Sequence, residues 1–221
     1  CFLFYRLGDF YEMFFDDAIK ASKILDLTLT GRDCGLEERA PMCGVPYHSV
    51  DTYIAKLVEH GDKVAICEQL SVPGEKPGLV DRDVVRIITS GTLIEDGLID
   101  EKSNNYLLSC VKFSDEYAVS WSDITTGDFY VKQFIGQNAV DSLSDFLVKI
   151  NPAEIICNTE MQAASEELAA VKHRSLPKFN VYKEYAFSYN LCRKNLLEQL
   201  KVHSLDALGI EDKKAAVCAA G

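Results

Sequence analysis

Phe10 and Glu12 are the two residues whose types and spacing suggest a direct chemical task. They lie in the run Gly8-Asp9-Phe10-Tyr11-Glu12, at the end of an apolar, aromatic stretch. Side chains two positions apart in an extended segment share a face, so an aromatic ring would stand beside a hydrogen-bond acceptor. Such a ring can insert into a base stack, with the smallest penalty where base pairing is already defective. A carboxylate can accept a hydrogen bond from a base edge or pair with a protonated base. The pair could therefore probe a base step in nucleic acid.

The same two residues also have a purely structural interpretation. Phe10 could belong to a hydrophobic core, and Glu12 could stabilise the N-terminus of a helix that follows. The type and spacing of the residues alone leave this alternative open.

The residues around this pair predict an α/β domain. Residues 2–7 are apolar and aromatic and predict a buried strand, which Gly8-Asp9 ends. Residues 11–25 predict a helix with Phe14, Ala18 and Leu25 on its apolar face. Further strands are predicted at residues 27–30, 63–69 and 84–89, a helix at 49–60 and a rigid, proline-containing loop at 41–48.

The second half predicts a mixed sheet covered by helices. Its predicted elements are strands at residues 106–113, 117–122 and 127–134, a helix at 140–150 and a strand at 154–157. A polar stretch separates the halves, which gives a first domain at residues 1–92, a linker at 93–104 and a second domain at 105–221. The chain stops inside an alanine-rich helical pattern, so we expect it to be a piece of a longer protein.

Charge and composition restrict the function classes. The chain has a net charge of −11, and its first 100 residues carry 10 Lys and Arg against 18 Asp and Glu. A domain that holds DNA through its phosphates alone needs a basic surface, so the acidic charge argues against that class. We find no secretory signal and no apolar run long enough for a bilayer, which favours a cytoplasmic location. The eight cysteines form no C-x-x-C pair, which argues against a zinc ribbon, and we expect them to be buried and reduced.

Several motifs resemble those of the MutS family of DNA mismatch-recognition proteins, in order and at similar spacing. The first-half motifs are FYRLGDFYEMF at residues 4–14, PMCGVPYH at 41–48, VAICEQ at 64–69 and VVRIITSGT at 84–92. In the second half, DITTG at residues 123–127 and NPAEI at 151–155 resemble the connector domain of that family. The resemblance covers essentially the whole chain.

The resemblance implies a fold and a mechanism. It implies a mixed-sheet α/β mismatch-recognition domain followed by an RNase H-like connector domain. In the family, the phenylalanine matching Phe10 enters from the minor groove and stacks on a mispaired or unpaired base. The glutamate matching Glu12 hydrogen-bonds that base while the DNA kinks, which is readout of stacking and bending rather than of base sequence. Arg32 aligns with a basic stretch that contacts the DNA backbone, although a solvated loop arginine explains it equally well.

For the longer protein, the resemblance implies partners and a cofactor. It implies ATP and magnesium at an ATPase domain, a MutL-type partner bound through the connector domain, and a homodimer formed through other domains. These 221 residues contain no G-x-x-x-x-G-K-[ST] phosphate loop, so we expect neither an ATPase nor a cofactor site in them. The nucleoid would then be the location in a bacterium.

Asp123 supports a rival interpretation. It follows a predicted strand, and Asp128 lies on the next one. RNase H-like nucleases cut with strand-borne carboxylates that hold two metal ions. Such a site needs three or four converging carboxylates, and a fold does not by itself grant a function. A second rival is a MutS relative without a mismatch role, against which the complete Phe-Tyr-Glu motif speaks.

Overall fold

The computed structural model describes residues 1–35, 37–70, 81–93, 104–168 and 176–221. Its residues fall into two compact units, Cys1–Asp100 and Glu101–Gly221. Residues 94–103 of the predicted linker lie outside the described residues.

In its described residues, the first unit contains a six-stranded mixed sheet and two α-helices. Its elements are β1 (Phe2–Leu7), β2 (Phe10–Phe14), α1 (Phe15–Leu25), β3 (Thr30–Arg32), β4 (Ala40–Pro46), α2 (Val50–Glu59), β5 (Val64–Gln69) and β6 (Arg82–Ile88). The strand order is β3-β4-β2-β1-β5-β6. The β1–β5 pair is parallel, and the other pairs are antiparallel.

Alternation along β2 explains how this sheet divides its side chains. Tyr11 and Met13 are buried and join the core with residues of α1 and α2, whereas Phe10, Glu12 and Phe14 point to the opposite face. The core therefore holds β2 from one side while the second side presents the candidate residues.

Three predicted elements of this unit were wrong in type or position. The predicted helix at residues 11–25 begins only at Phe15, where a φ of +53° turns the chain sharply. The strand predicted at residues 27–30 lies at Thr30–Arg32, and the predicted loop at 41–48 is mostly strand β4. In each case pairing with distant strands, which β4 makes with both β2 and β3, overrides local sequence preference.

The second unit is a five-stranded mixed sheet with helices on both faces. Its elements are β7 (Tyr106–Phe113), β8 (Glu116–Asp123), β9 (Asp128–Phe134), α3 (Ala139–Ile150), β10 (Glu154–Cys157), α4 (Thr159–Ser165), β11 (Phe179–Val181), α5 (Tyr189–Leu200) and α6 (Lys214–Ala220). The order is β11-β10-β7-β8-β9, with β7, β8 and β9 antiparallel and β10 and β11 parallel to β7. This arrangement is the mixed sheet covered by helices that the sequence predicted for this half.

Two clusters of buried side chains form the core of this unit. Residues of α3 and α4, including Leu143 and Met161, pack on one face of the sheet, and residues of α5 and α6, including Leu196 and Val217, pack on the other. The alanine-rich pattern at the end of the chain is helix α6, and its small side chains allow close packing against β7 and β8.

The cysteine side chains and the lengths of the helices bear on two expectations from the sequence. Six of the eight cysteines are buried thiols, as expected, but Cys1 and Cys34 are exposed, and none forms a disulfide. In the described part of the chain, no helix has the length and apolar character needed to cross a membrane.

Candidate nucleic-acid interface

Phe10 lies at the tip of the β1–β2 hairpin. Leu7 pairs with Phe10, so Gly8 and Asp9 form the turn, and Gly8 has the positive φ of +58° that a glycine adopts without strain. The backbone N–H of Tyr47 donates to the carbonyl of Asp9 at 2.9 Å, which fastens the turn to the end of β4. The Phe10 residue is 47% exposed, and this exposure excludes the interpretation of Phe10 as a core residue.

Tyr11 anchors the back of the same strand. Its ring is buried, and its hydroxyl donates a hydrogen bond to Glu68 Oε1 on β5, two strands away. Burial, followed by the Glu68 hydrogen bond, raises the pKa of Tyr11 to about 12. A neutral, hydrogen-bonded Tyr11 thus fixes β2 directly behind Phe10 and Glu12.

Glu12 lies on the same face as Phe10, as the extended spacing predicted. It is part of β2 and pairs with Tyr5 on one side and Gly44 on the other, so it does not stabilise a helix N-terminus. Its side chain is 17% exposed, and its Oε2 accepts a hydrogen bond from Arg32 Nη1 in a salt bridge.

Arg32 therefore has a protein partner in addition to its predicted role. Its side chain is 44% exposed, and its guanidinium carbon lies 6.0 Å from the centroid of the Phe14 ring. Contact of Arg32 with a DNA phosphate stays a prediction. The structure places Arg32 beside the candidate acceptor Glu12, which no local sequence pattern indicated.

Arg6 and Tyr47 are two further residues at this edge that the sequence analysis missed. The Arg6 guanidinium carbon lies 4.0 Å from the centroid of the exposed Tyr47 ring, within cation–π range. The ring of His48 meets Tyr47 edge-on, with centroids 5.8 Å apart. The signal in the sequence was a tyrosine that directly follows Pro46. Only the pairing of β4 with β2 brings this tyrosine next to the hairpin tip.

Asp123, the candidate of the nuclease interpretation, is a buried turn residue. Its residue exposure is 2%. The backbone N–H and the hydroxyl of Thr125 donate to Oδ1 at 2.9 and 2.6 Å, and the backbone N–H of Asn105 donates to Oδ2 at 3.1 Å. Burial raises the pKa of Asp123, but these hydrogen bonds outweigh it and leave the pKa below its ordinary value.

The surroundings of Asp123 do not suggest a two-metal site. Asp128 is its neighbour across the β8–β9 pair, and Asp128 Oδ2 accepts from the hydroxyl of Thr126 at 2.9 Å. Within the ranges that the structure describes, no three His, Cys, Asp or Glu side chains are grouped so that they could hold a metal ion. The oxygens of Asp123 instead secure the turn between β8 and β9.

Comparison with known protein families covers both units. The family model described as MutS domain I matches residues 1–97, and the one described as MutS domain II matches residues 105–221. Both models follow the chain in the order that the resemblance implied.

Comparison with individual curated proteins gives the same family. Proteins named DNA mismatch repair protein MutS are similar to this chain in Ruminiclostridium cellulolyticum (47% identity), Lachnoclostridium phytofermentans (46%) and Halothermothrix orenii (49%). The alignments cover 100%, 100% and 99% of this chain, but 25%, 23% and 24% of those relatives. The chain thus spans about a quarter of the length of these relatives.

Proposed function

The chain belongs to the MutS family, and from this membership we propose that it recognises mispaired or unpaired bases in duplex DNA. Phe10 enters the base stack from the minor groove and stacks on one base of the defective pair, and Glu12 accepts a hydrogen bond from that base. The protein thereby contributes to DNA mismatch repair.

The observation that carries this proposal is the placement of Phe10 and Glu12. An aromatic ring that is 47% exposed stands at a hairpin tip, and an acceptor lies two residues away on the same face. The strand that bears them is internal to the sheet, between β1 and β4, and Tyr11 anchors it from behind. A rigid strand presents a probe with less lost conformational entropy than a loop would.

Base insertion supplies the selectivity in this mechanism. Inserting a ring unstacks a base step at a cost of about a few kcal/mol, and this cost is smaller where the pair is already mismatched. Stacking of a base on an aromatic ring contributes about 1–3 kcal/mol. Matched and mismatched duplexes differ in the cost of deforming them. An acidic recognition unit can therefore discriminate between them without reading base sequence.

Other activities belong to the longer protein and extend the proposal. By family membership, we expect an ATPase domain with ATP and magnesium, a homodimer formed through further domains, and a MutL-type partner that binds the second unit. The second unit would relay between the recognition and ATPase domains. No observation favours the nuclease, since the backbone N–H groups of Thr125 and Asn105 already donate to the two oxygens of the candidate carboxylate Asp123.

A binding experiment with the full-length MutS protein that carries this chain tests the proposal. Its affinity is measured for a G·T duplex and for the matched duplex, at one fixed salt concentration, with and without Phe10→Ala. We expect the substitution to reduce mismatch preference roughly 5- to 150-fold, because stacking of about 1–3 kcal/mol is lost, while matched-duplex binding persists.

Phe129→Ala is a matched control, because Phe129 is also a strand phenylalanine and is 45% exposed, but in the second unit. It should leave mismatch preference unchanged. An unchanged preference in Phe10→Ala would refute the proposed role of Phe10.

A further inference from the structure

Glu12 brings a negative charge to a surface that is proposed to meet a polyanion. The first 100 residues already carry a net charge of −8. A carboxylate that approaches DNA is repelled by the phosphates, and the minor groove presents mainly acceptor atoms. Glu12 can therefore help binding only if its charge is balanced and its oxygens are aimed.

Arg32 can balance the charge of Glu12 and aim its oxygens, and the sheet register shows how the arginine side chain reaches Glu12. Strand β4 separates β3 from β2, with Arg32 paired to Ala40 and Glu12 paired to Gly44. The Arg32 side chain must therefore cross β4 to bind Glu12 Oε2.

Gly44 leaves space for the Glu12 side chain beside β4. A Cβ atom at position 44 would lie 3.2 Å from the carbonyl oxygen of Tyr11 and 3.4 Å from Glu12 Cγ, which is tighter than most such contacts. Its φ is not in the left-handed region, so the glycine serves the close approach and not the backbone conformation. The absent side chain lets Glu12 lie against β4 on the side of Arg32.

We propose that Arg32 is a positioning residue that acts through Glu12: it binds Oε2, balances the charge of the carboxylate and directs Oε1 towards the probed base. This inference rests on the proposed function. It differs from the phosphate contact predicted from sequence, in which Arg32 would act on DNA independently of Glu12. Because paired groups are energetically coupled whereas independent contacts add, the two roles predict different results.

A double-mutant cycle in the full-length protein separates these roles. The affinity for a G·T duplex is measured for wild type, Arg32→Gln, Glu12→Gln and the double variant. We expect Arg32→Gln to weaken binding about three- to tenfold in wild type, as for coupled charged groups. In the Glu12→Gln background the same substitution should change affinity by less than about twofold, since no carboxylate remains to be balanced.

Two further variants complete the design. Arg32→Lys keeps the charge and should recover most of the lost affinity. Arg39→Gln removes another exposed arginine from the segment between β3 and β4 without touching Glu12, and its effect should be equal in both backgrounds.

The result that overturns the inference is an equal loss of affinity in both backgrounds, with a salt dependence reduced by about one phosphate contact. An unchanged affinity in both backgrounds overturns it as well. Neither outcome is confused with failure of the proposed function, which appears instead as unchanged mismatch preference in Phe10→Ala.

Discussion

Two strand-borne carboxylates, one in each unit, differ in what surrounds them. Glu12 lies partly exposed on strand β2, and one arginine binds one of its oxygens. Asp123 lies buried at the end of strand β8, and donors from Thr125 and Asn105 engage both of its oxygens. A carboxylate whose acceptor sites are already used by its own fold stabilises that fold, whereas one with an accessible oxygen can meet a ligand.

The same contrast appears within strand β2. Tyr11 and Glu12 are adjacent, yet Tyr11 faces the core and binds Glu68, while Glu12 faces outward beside Phe10. Alternation along one strand thus places neighbouring residues on the core face and on the exposed face, where the proposed recognition residues lie.

Asp123→Asn should give the largest loss of stability among the variants. The amide would place an N–H₂ group against a backbone donor, so we expect the free energy of unfolding of the second unit to fall by about 1–3 kcal/mol. Chemical denaturation of the chain measures this change. Asp128→Asn is the control, because Asp128 is exposed, and it should change stability by less than about 0.5 kcal/mol.

The pH dependence of the Asp123 contribution has a definite sign. Because the folded-state pKa of Asp123 lies below its ordinary value of 3.8, its stabilising effect is present above that value and is lost as the pH falls through the lowered folded-state pKa. The stability difference between wild type and Asp123→Asn should therefore shrink in acid. A difference that is constant from neutral to strongly acidic pH would contradict the assignment of Asp123 as an ionised turn residue.

Tyr11→Phe should have a smaller effect and sharpens the contrast within β2. Loss of the hydrogen bond to Glu68 should lower the free energy of unfolding of the first unit by about 1 kcal/mol, with mismatch preference retained. Phe10→Ala should instead lose mismatch preference, while its free energy of unfolding stays within about 0.5 kcal/mol of wild type. Thermal unfolding and duplex binding of both variants measure stability and mismatch preference. Loss of mismatch preference in Tyr11→Phe would mean that the core face and the outer face of β2 do not separate stability from recognition.

The sequence predicted the elements whose pattern is local. Strand β10 lies at the predicted residues, and β7, β8, β9 and α3 agree with prediction to within about one residue. Each of these segments contains its own pattern, either apolar residues in alternation or apolar residues at helical spacing, and this pattern is sufficient to predict the element.

Elements that depend on distant partners were not predictable in this way. Residues 11–14 continue the apolar period of α1, so the sequence predicted them as the start of a helix. Pairing with β1 and β4 makes them part of strand β2 instead. The Glu12–Arg32 bond joins residues 20 apart across a third strand, and the Tyr11–Glu68 bond joins residues 57 apart. The identity of the candidate residues was therefore readable from the motif, but their partners came from tertiary structure.

Insertion of Phe10 into the base stack can be followed by the fluorescence of 2-aminopurine placed next to a G·T mismatch. This base analogue becomes brighter when it is unstacked. The full-length protein should increase the fluorescence on binding, and Phe10→Ala should abolish the increase at saturating protein concentration, where binding itself is complete. An equal increase with Phe10→Ala would show that another group opens the stack and would contradict the account.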